Sequence, residues 1–470
     1  MVAAPQVVAL VREAFSALLE TMTMVRLDLY TTIPDLSFTR RQRGQNMTQE
    51  HPTDMREYNL VSADSHLEAP PEWADRVPEK YRDFAPRIVK LDNGGDAWDL
   101  RDGKEPKPLG LQVVAGEQYS DFVQSGRRFD EDIPGTRSAE GRILEMDRDG
   151  VDAEVIFCTV VATALKKTED PNATVALVQA YNDWLSEYCS HAPDRLLGIG
   201  LIPMTGVKDA VTEIERLAAL PGIRGAHMLT FPSGGEFLLN EDDAFWEAAE
   251  ATDMALVAHH NFGGQTNTAS HPLPGLKERA LDIDGGRDLG FFAWLLTCDL
   301  PIPTLPIVTV LQLIISGTLD RHPNLRFHFA ETGIGWLPYW LEQVEDRYDR
   351  HRFWADIDLQ RRPLEYVRDH FTFSFQEDHA GVALRHSIGI NNICWASDFP
   401  HSVSDWPWSR EVVARMMKDV PGDERRRIQA LNILTQLRVI TPEQREDMAL
   451  EGLTSEDPET VPARGERRMA

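Results

Sequence analysis

Asp64, His66 and Glu68 occupy alternate positions in Val61-Ser-Ala-Asp-Ser-His-Leu-Glu68, directly after a short apolar segment that begins at Tyr58. Alternate residues of a strand project to the same face. A carboxylate beside an imidazole at the end of a strand is half of a site for a divalent metal ion. The other half must come from distant sequence. Two later apolar runs end in suitable groups, Ala255-Leu-Val-Ala-His259-His260 and Ile393-Cys-Trp-Ala-Ser-Asp398. His259 shares the parity of Val257 and His260 does not, so His259 is the expected donor. Two imidazoles and two carboxylates suit zinc, manganese or iron, with a position left for a water whose pKa a zinc ion lowers to roughly 7. Taken singly, a strand-end Asp is more often a helix cap and a His more often a packed core residue. The weight lies in Asp64, His66, His259 and Asp398 ending three separate strands.

Such ends converge only if the strands share one sheet. From Tyr58 the chain alternates strand-like and helix-like segments. The pattern predicts strands near 59–64, 153–158, 196–202, 224–230, 254–260, 326–331, 371–375 and 392–397. Helical patterns fill 138–149, 171–190, 207–220, 242–252, 305–320, 335–353, 378–386 and 424–434. Eight strands, each followed by helix, is the count of an α/β (β/α)8 TIM barrel, whose active site lies at the C-terminal ends of its strands. A doubly wound open sheet is the alternative; no GxGxxG follows any strand, which removes the usual dinucleotide signature. Two stretches, 67–137 after the first strand and 261–304 after the fifth, are too long for ordinary connections. In a barrel both leave from the active-site face, as lids or substrate walls.

Composition excludes other classes. The chain has 470 residues and a net charge of −27, so it repels phosphate backbones and no nucleic-acid partner is expected. The four cysteines, Cys158, Cys189, Cys298 and Cys394, form no CxxC pair and fit a reducing cytoplasm. The apolar stretch 305–317 is too short for a bilayer, and no secretory signal is read at the N-terminus, so no membrane association is expected. Residues 1–57 differ in composition and read as an extension outside the fold, with Met47 as a candidate natural start. Residues 58–437 form the barrel, and 438–470 read as a solvated acidic tail.

Asp64-Ser-His-Leu-Glu-Ala-Pro-Pro-Glu-Trp73, Gly317-Thr-Leu-Asp-Arg-His-Pro-Asn-Leu-Arg-Phe327, Glu331-Thr-Gly-Ile-Gly-Trp-Leu-Pro338 and Trp395-Ala-Ser-Asp-Phe-Pro-His401 together resemble the amidohydrolase-related family, in its aminocarboxymuconate semialdehyde decarboxylase-like branch. The resemblance covers roughly 58–437. It implies a metal-dependent barrel and either hydrolysis or non-oxidative decarboxylation of aromatic or ring-derived acids. It implies Asp64, His66, His259 and Asp398 as metal ligands. Many decarboxylases of the family carry a histidine at the end of the sixth strand, where this chain has Glu331. Glu331 is read as a catalytic or substrate-orienting carboxylate, against a structural ion pair with Arg385 or Arg347. Glu68, His227, Trp336 and His401 are read as substrate-binding, and His401 also as a residue that orients Asp398.

The expectation from sequence is a cytoplasmic hydrolase, a homo-oligomer and specifically a dimer. It uses a divalent ion, zinc first and Mn2+ or Fe2+ otherwise, to activate water against a small aromatic or carboxylate-bearing substrate, with Asp398 moving the proton. A metal-dependent decarboxylase and an inactive ligand-binding barrel are the alternatives.

Overall fold

The computed structural model describes residues 56–450, apart from 124, 132, 236, 261 and 263–303. All eight expected barrel strands form. They are β1 (Val61–Leu67), β5 (Ala153–Cys158), β6 (Leu196–Leu201), β7 (Ile223–Met228), β8 (Ala255–His259), β9 (Phe327–Ala330), β10 (Phe371–Phe375) and β11 (Ile393–Trp395). β2 (Arg87–Lys90), β3 (Asp96–Asp99) and β4 (Lys107–Pro108) lie in the first insertion and make a separate antiparallel sheet. The barrel strands are parallel and neighbour one another in chain order from β1 to β11. The segment after β11 closes the ring on β1: Asp398 N donates to Asp64 O (2.9 Å) and His66 N to Phe399 O (2.7 Å). The chain is a (β/α)8 TIM barrel.

Alternation divides the strands between two cores. Val61, Ala63, Val155, Ile199 and Val257 fill the barrel interior. Ile156, Leu256, Phe327 and Phe371 face the helical layer. Helix boundaries follow their local signals. Ser138 Oγ accepts from Gly141 N at the start of helix Ala139–Asp149, and Gly150, at φ 72°, ends it. Asp170 caps helix Pro171–Cys189, which has Pro at its first position. Helices Val160–Leu165, Pro363–His370 and Ser409–Met416 were not expected; each is too short to show a clear 3.6-residue period.

One irregularity in β1 decides where the chemistry points. Ser62 pairs with Glu154 and Ser65 with Ile156, so Ala63 and Asp64 together oppose Val155. This is a β-bulge, in which two residues face one. Val61 and Ala63 already face inward. Without the extra residue, strict alternation from Ala63 would turn Asp64 and His66 toward the helices. The bulge lets Ala63, Asp64 and His66 all face the interior. The shared face of Asp64 and His66 is as expected from alternation, but the bulge is what makes it the inner one.

The first insertion is built rather than loose. β2 and β3 form a hairpin through Gly94 (φ 83°), and Trp73 and Trp98 are buried. Val114 N and Ala115 N both donate to Pro400 O (3.1 Å each), fastening the insertion beside His401. The second insertion, residues 1–55 and 451–470 lie outside the described residues. The stretch read as a solvated tail begins differently: Pro442–Leu450 is a helix with Ala449 buried and Glu446 paired to Arg427 (2.7 Å). No described helix is long and apolar enough to cross a membrane.

Candidate metal centre

The C-terminal ends of the strands bring the expected donors together. His66 Nε2 lies 3.3 Å from Asp64 Oδ1 and 3.2 Å from Asp398 Oδ1. His259 Nε2 lies 3.5 Å from Asp64 Oδ2 and 3.6 Å from Glu331 Oε2. Ligand bonds of about 2.1 Å in a tetrahedral shell place donors roughly 3.4 Å apart, which is the spacing seen here. Donor atoms of Asp64, His66, His259 and Glu331 lie within 4.8 Å of one another, as do those of His66, Asp398 and His401. Both Asp64 oxygens, His66 Nε2, His259 Nε2 and Asp398 Oδ1 are buried and make no hydrogen bond. Buried polar atoms without partners are costly and uncommon. Four of them, from Asp64, His66 and His259, fall with Glu331 in one such group, and Asp398 joins it through His66, so the residues fit a divalent cation.

The electrostatics agree. Burial raises the Asp64 carboxyl, but His259 and His66 outweigh it and hold the group far below the usual carboxylate range. Burial lowers His66, yet Asp64 and Asp398 push it up to about 10. Asp398 is depressed by His401 and His66 against burial. With no cation, the carboxylates draw a proton onto His66; a bound dication would release it.

Two of these groups, His66 and Glu331, are held from behind. His66 Nδ1 meets Thr159 Oγ1 (3.2 Å), which fixes the ring. The buried Arg142 donates to His66 O and to Gly135 O (3.0 Å) and pairs with Glu154 (2.8 Å). Asp398 and Glu331 stand just beyond their strands with φ of 52° and 55°, conformations uncommon for residues other than glycine. Glu331 N is held by Ser374 Oγ (3.0 Å). Sequence reasoning found none of Thr159, Arg142 or the bulge, because contacts made between distant parts of the chain leave no local motif.

The remaining site residues separate by contact. His401 Nδ1 sits 3.1 Å from Asp398 Oδ1, its ring stacks on His66 (4.1 Å), and its buried Nε2 makes no hydrogen bond. His227 is buried, held neutral by burial and by His259, and neither ring nitrogen makes a hydrogen bond. Glu68 lies outside both donor groups. It accepts from Trp98 Nε1 (3.0 Å), its other oxygen has no hydrogen bond, and burial raises its pKa. Glu331 turns toward the cavity and pairs with His260 Nδ1 at 2.7 Å, not with Arg385, which holds Glu424. Trp336, read as a substrate contact, instead packs in the helical layer: its Nε1 donates to Thr332 O (3.0 Å) and its ring contacts Trp340 and Phe373. The reason is that it immediately precedes helix Leu337–Ala355, which fixes the ring over the outer face of β10. His379 is exposed beside Glu377.

A closed parallel barrel with a metal-competent cluster at the C-terminal ends of its first, fifth and eighth strands defines a class of metal-dependent enzyme. The chain belongs to the amidohydrolase family, whose model matches residues 63–437. Among curated proteins it is 25% identical over 312 residues to the gamma-resorcylate decarboxylase of Rhizobium sp., covering 64% of this chain and 88% of that protein. It is 22% identical over 268 residues to the 2-amino-3-carboxymuconate-6-semialdehyde decarboxylase of Dictyostelium discoideum, covering 56% of this chain and 67% of that one. Among solved structures it is similar to 5-carboxyvanillate decarboxylase from Novosphingobium aromaticivorans complexed with manganese, with a TM-score of 0.54 and 18% identity over 81% of this chain and 96% of that one.

Proposed function

We propose that this protein is a metal-dependent, non-oxidative decarboxylase of an aromatic or ring-derived acid. The observation that carries the reading is the convergence of unpartnered donor atoms from Asp64, His66, His259 and Asp398 at one mouth of the barrel. The named activities of the curated relatives turn the choice from hydrolysis, the first expectation, to decarboxylation.

The four residues would hold the cation, and Mn2+ suits their oxygen and imidazole donors as well as Zn2+ does. Bound there, the cation supplies charge neutralisation to a substrate carboxylate and an adjacent ring oxygen. The protein supplies the proton. The ring carbon bearing the carboxylate takes a proton, the carbon–carbon bond breaks, its electron pair returns to the ring, and carbon dioxide leaves. With its Nδ1–H donated to Asp398, His401 would act as the acid in its imidazolium form, giving up the second proton, on Nε2, to the ring carbon and returning to the neutral ring. Neutral His227 offers an N–H donor to a substrate oxygen from inside the barrel. Glu331 accepts a hydrogen bond from a substrate hydroxyl, its backbone set by Ser374. Glu68, fixed by Trp98, walls the side nearest the first insertion.

The test is incubation of the metal-loaded protein with hydroxybenzoates and their amides in deuterium oxide. Carbon dioxide release, with one deuteron on the ring carbon that lost the carboxylate, is expected. Amide cleavage without carbon dioxide would reinstate hydrolysis.

A further inference from the structure

His328 lies in β9, three residues before Glu331, and points into the barrel beneath the metal centre. It is fully buried. Its Nε2 lies 3.1 Å from Ala63 O across the barrel, and its Nδ1 lies 2.9 Å from Thr372 Oγ1 on β10. A carbonyl only accepts, so Nε2 carries the hydrogen and Nδ1 accepts from the threonine. Burial keeps the ring neutral, with its pKa lowered to about 4, which agrees with this single tautomer.

Ala63 is the first residue of the bulge that turns Asp64 inward. The rest of the bulge is pinned too. Asp64 O accepts from Ser62 Oγ (2.8 Å) and from Asp398 N (2.9 Å). Ser62 Oγ also contacts Ser397 Oγ (3.0 Å) and accepts from Ser65 Oγ (3.0 Å). Ala63 O accepts from His328 Nε2 across the barrel interior. A bulge leaves ladder groups unpaired, and an unpaired buried carbonyl favours a return to regular pairing. Regular pairing would swing Asp64 out of the metal centre.

We propose that His328 is a positioning residue: by donating to Ala63 O it holds the β1 bulge in the register that aims Asp64 at the metal. The inference rests on the metal reading of Asp64, and the experiment separates the two. The probe is Co2+, with affinity measured by chelator competition, the ligand field by absorption spectrum, and stability by thermal unfolding of the apo protein. Glutamine places an amide donor near the position of Nε2, whereas asparagine reaches only that of Nδ1. H328N and His328→Leu are expected to weaken Co2+ binding about 10–100-fold, the range for groups behind metal ligands, and to alter the Co2+ spectrum. H328Q is expected to stay within about threefold of the parent. D64N is the control. If D64N binds Co2+ like the parent, the metal reading of Asp64 fails. If D64N weakens binding while H328N does not, the brace is refuted. Equal losses in H328N and H328Q, tracking a common fall in unfolding temperature, would reduce His328 to a packing residue. Should the leucine variant not fold, the asparagine–glutamine pair still decides.

Discussion

Replacing Arg142 with methionine should damage both stability and metal binding, and the two losses should respond differently to a second substitution. The guanidinium is fully buried, pairs with Glu154 at 2.8 Å, donates to two backbone carbonyls and lies 4.7 Å over the Phe399 ring. Methionine fills much of the volume but leaves the Glu154 carboxylate buried without its partner. Breaking a buried pair from one side typically costs about 3–5 kcal/mol. The freed carbonyls of Gly135 and His66 add to this, though not additively. With an unfolding entropy of about 2.1 cal/mol/K per residue, roughly 400 ordered residues give about 0.8 kcal/mol/K, so about 4 kcal/mol lowers Tm by about 5 °C. Adding Glu154→Gln removes the stranded charge and should restore more than half of that Tm. It cannot restore the donor to His66 O. Metal affinity, about tenfold weaker in Arg142→Met, should therefore stay weak in the double variant. Scanning calorimetry of the apo protein and chelator competition read the two quantities. A single variant within 1 °C of the parent, or a double variant whose losses sum those of the singles, would refute the reasoning.

His259→Ala should remove bound metal and decarboxylation together, measured by elemental analysis and carbon dioxide release; activity without metal would sink the central reading. Glu331→Gln should keep its metal and lose roughly 10²-fold in kcat, since its carboxylate acts on substrate; unchanged kcat would leave it only as the partner of His260. Asp149 ends a helix, and burial pushes its carboxyl up to about 7 despite the bond from Ser409 N. A raised carboxyl favours the folded state at low pH and loses that contribution as pH rises from about 4 to about 7, at about 1.4 kcal/mol per pH unit at most. Asp149→Asn can still accept from Ser409 N, so it should gain on the parent in Tm across this window and hold the gain at pH 8. A difference that does not change with pH would refute it.

Residues 61–63, 153–158 and 255–259 are legible as strands because burial on both faces leaves near-continuous apolar runs, and the Ser138 cap and Pro171 at the first helical position mark their helices by type alone. The candidate donors His259 and Asp398 were legible for the same reason: a polar residue ending an apolar run in a parallel sheet stands where chemistry occurs. Sequence alone thus determined the barrel and the face where such a site lies, and it named four candidate donors. It could not show that β1 is bulged, because a bulge is a matter of pairing between β1 and β5 and has no composition of its own. It gave no sign of His328, Thr159 or Arg142, whose partners lie 265, 93 and 76 positions away. Nor could it show that Glu331 meets His260 while Trp336 turns into the helical layer. Those outcomes depend on how the ring of strands closes, since contacts across a barrel are set by stagger and twist rather than by neighbours in the chain.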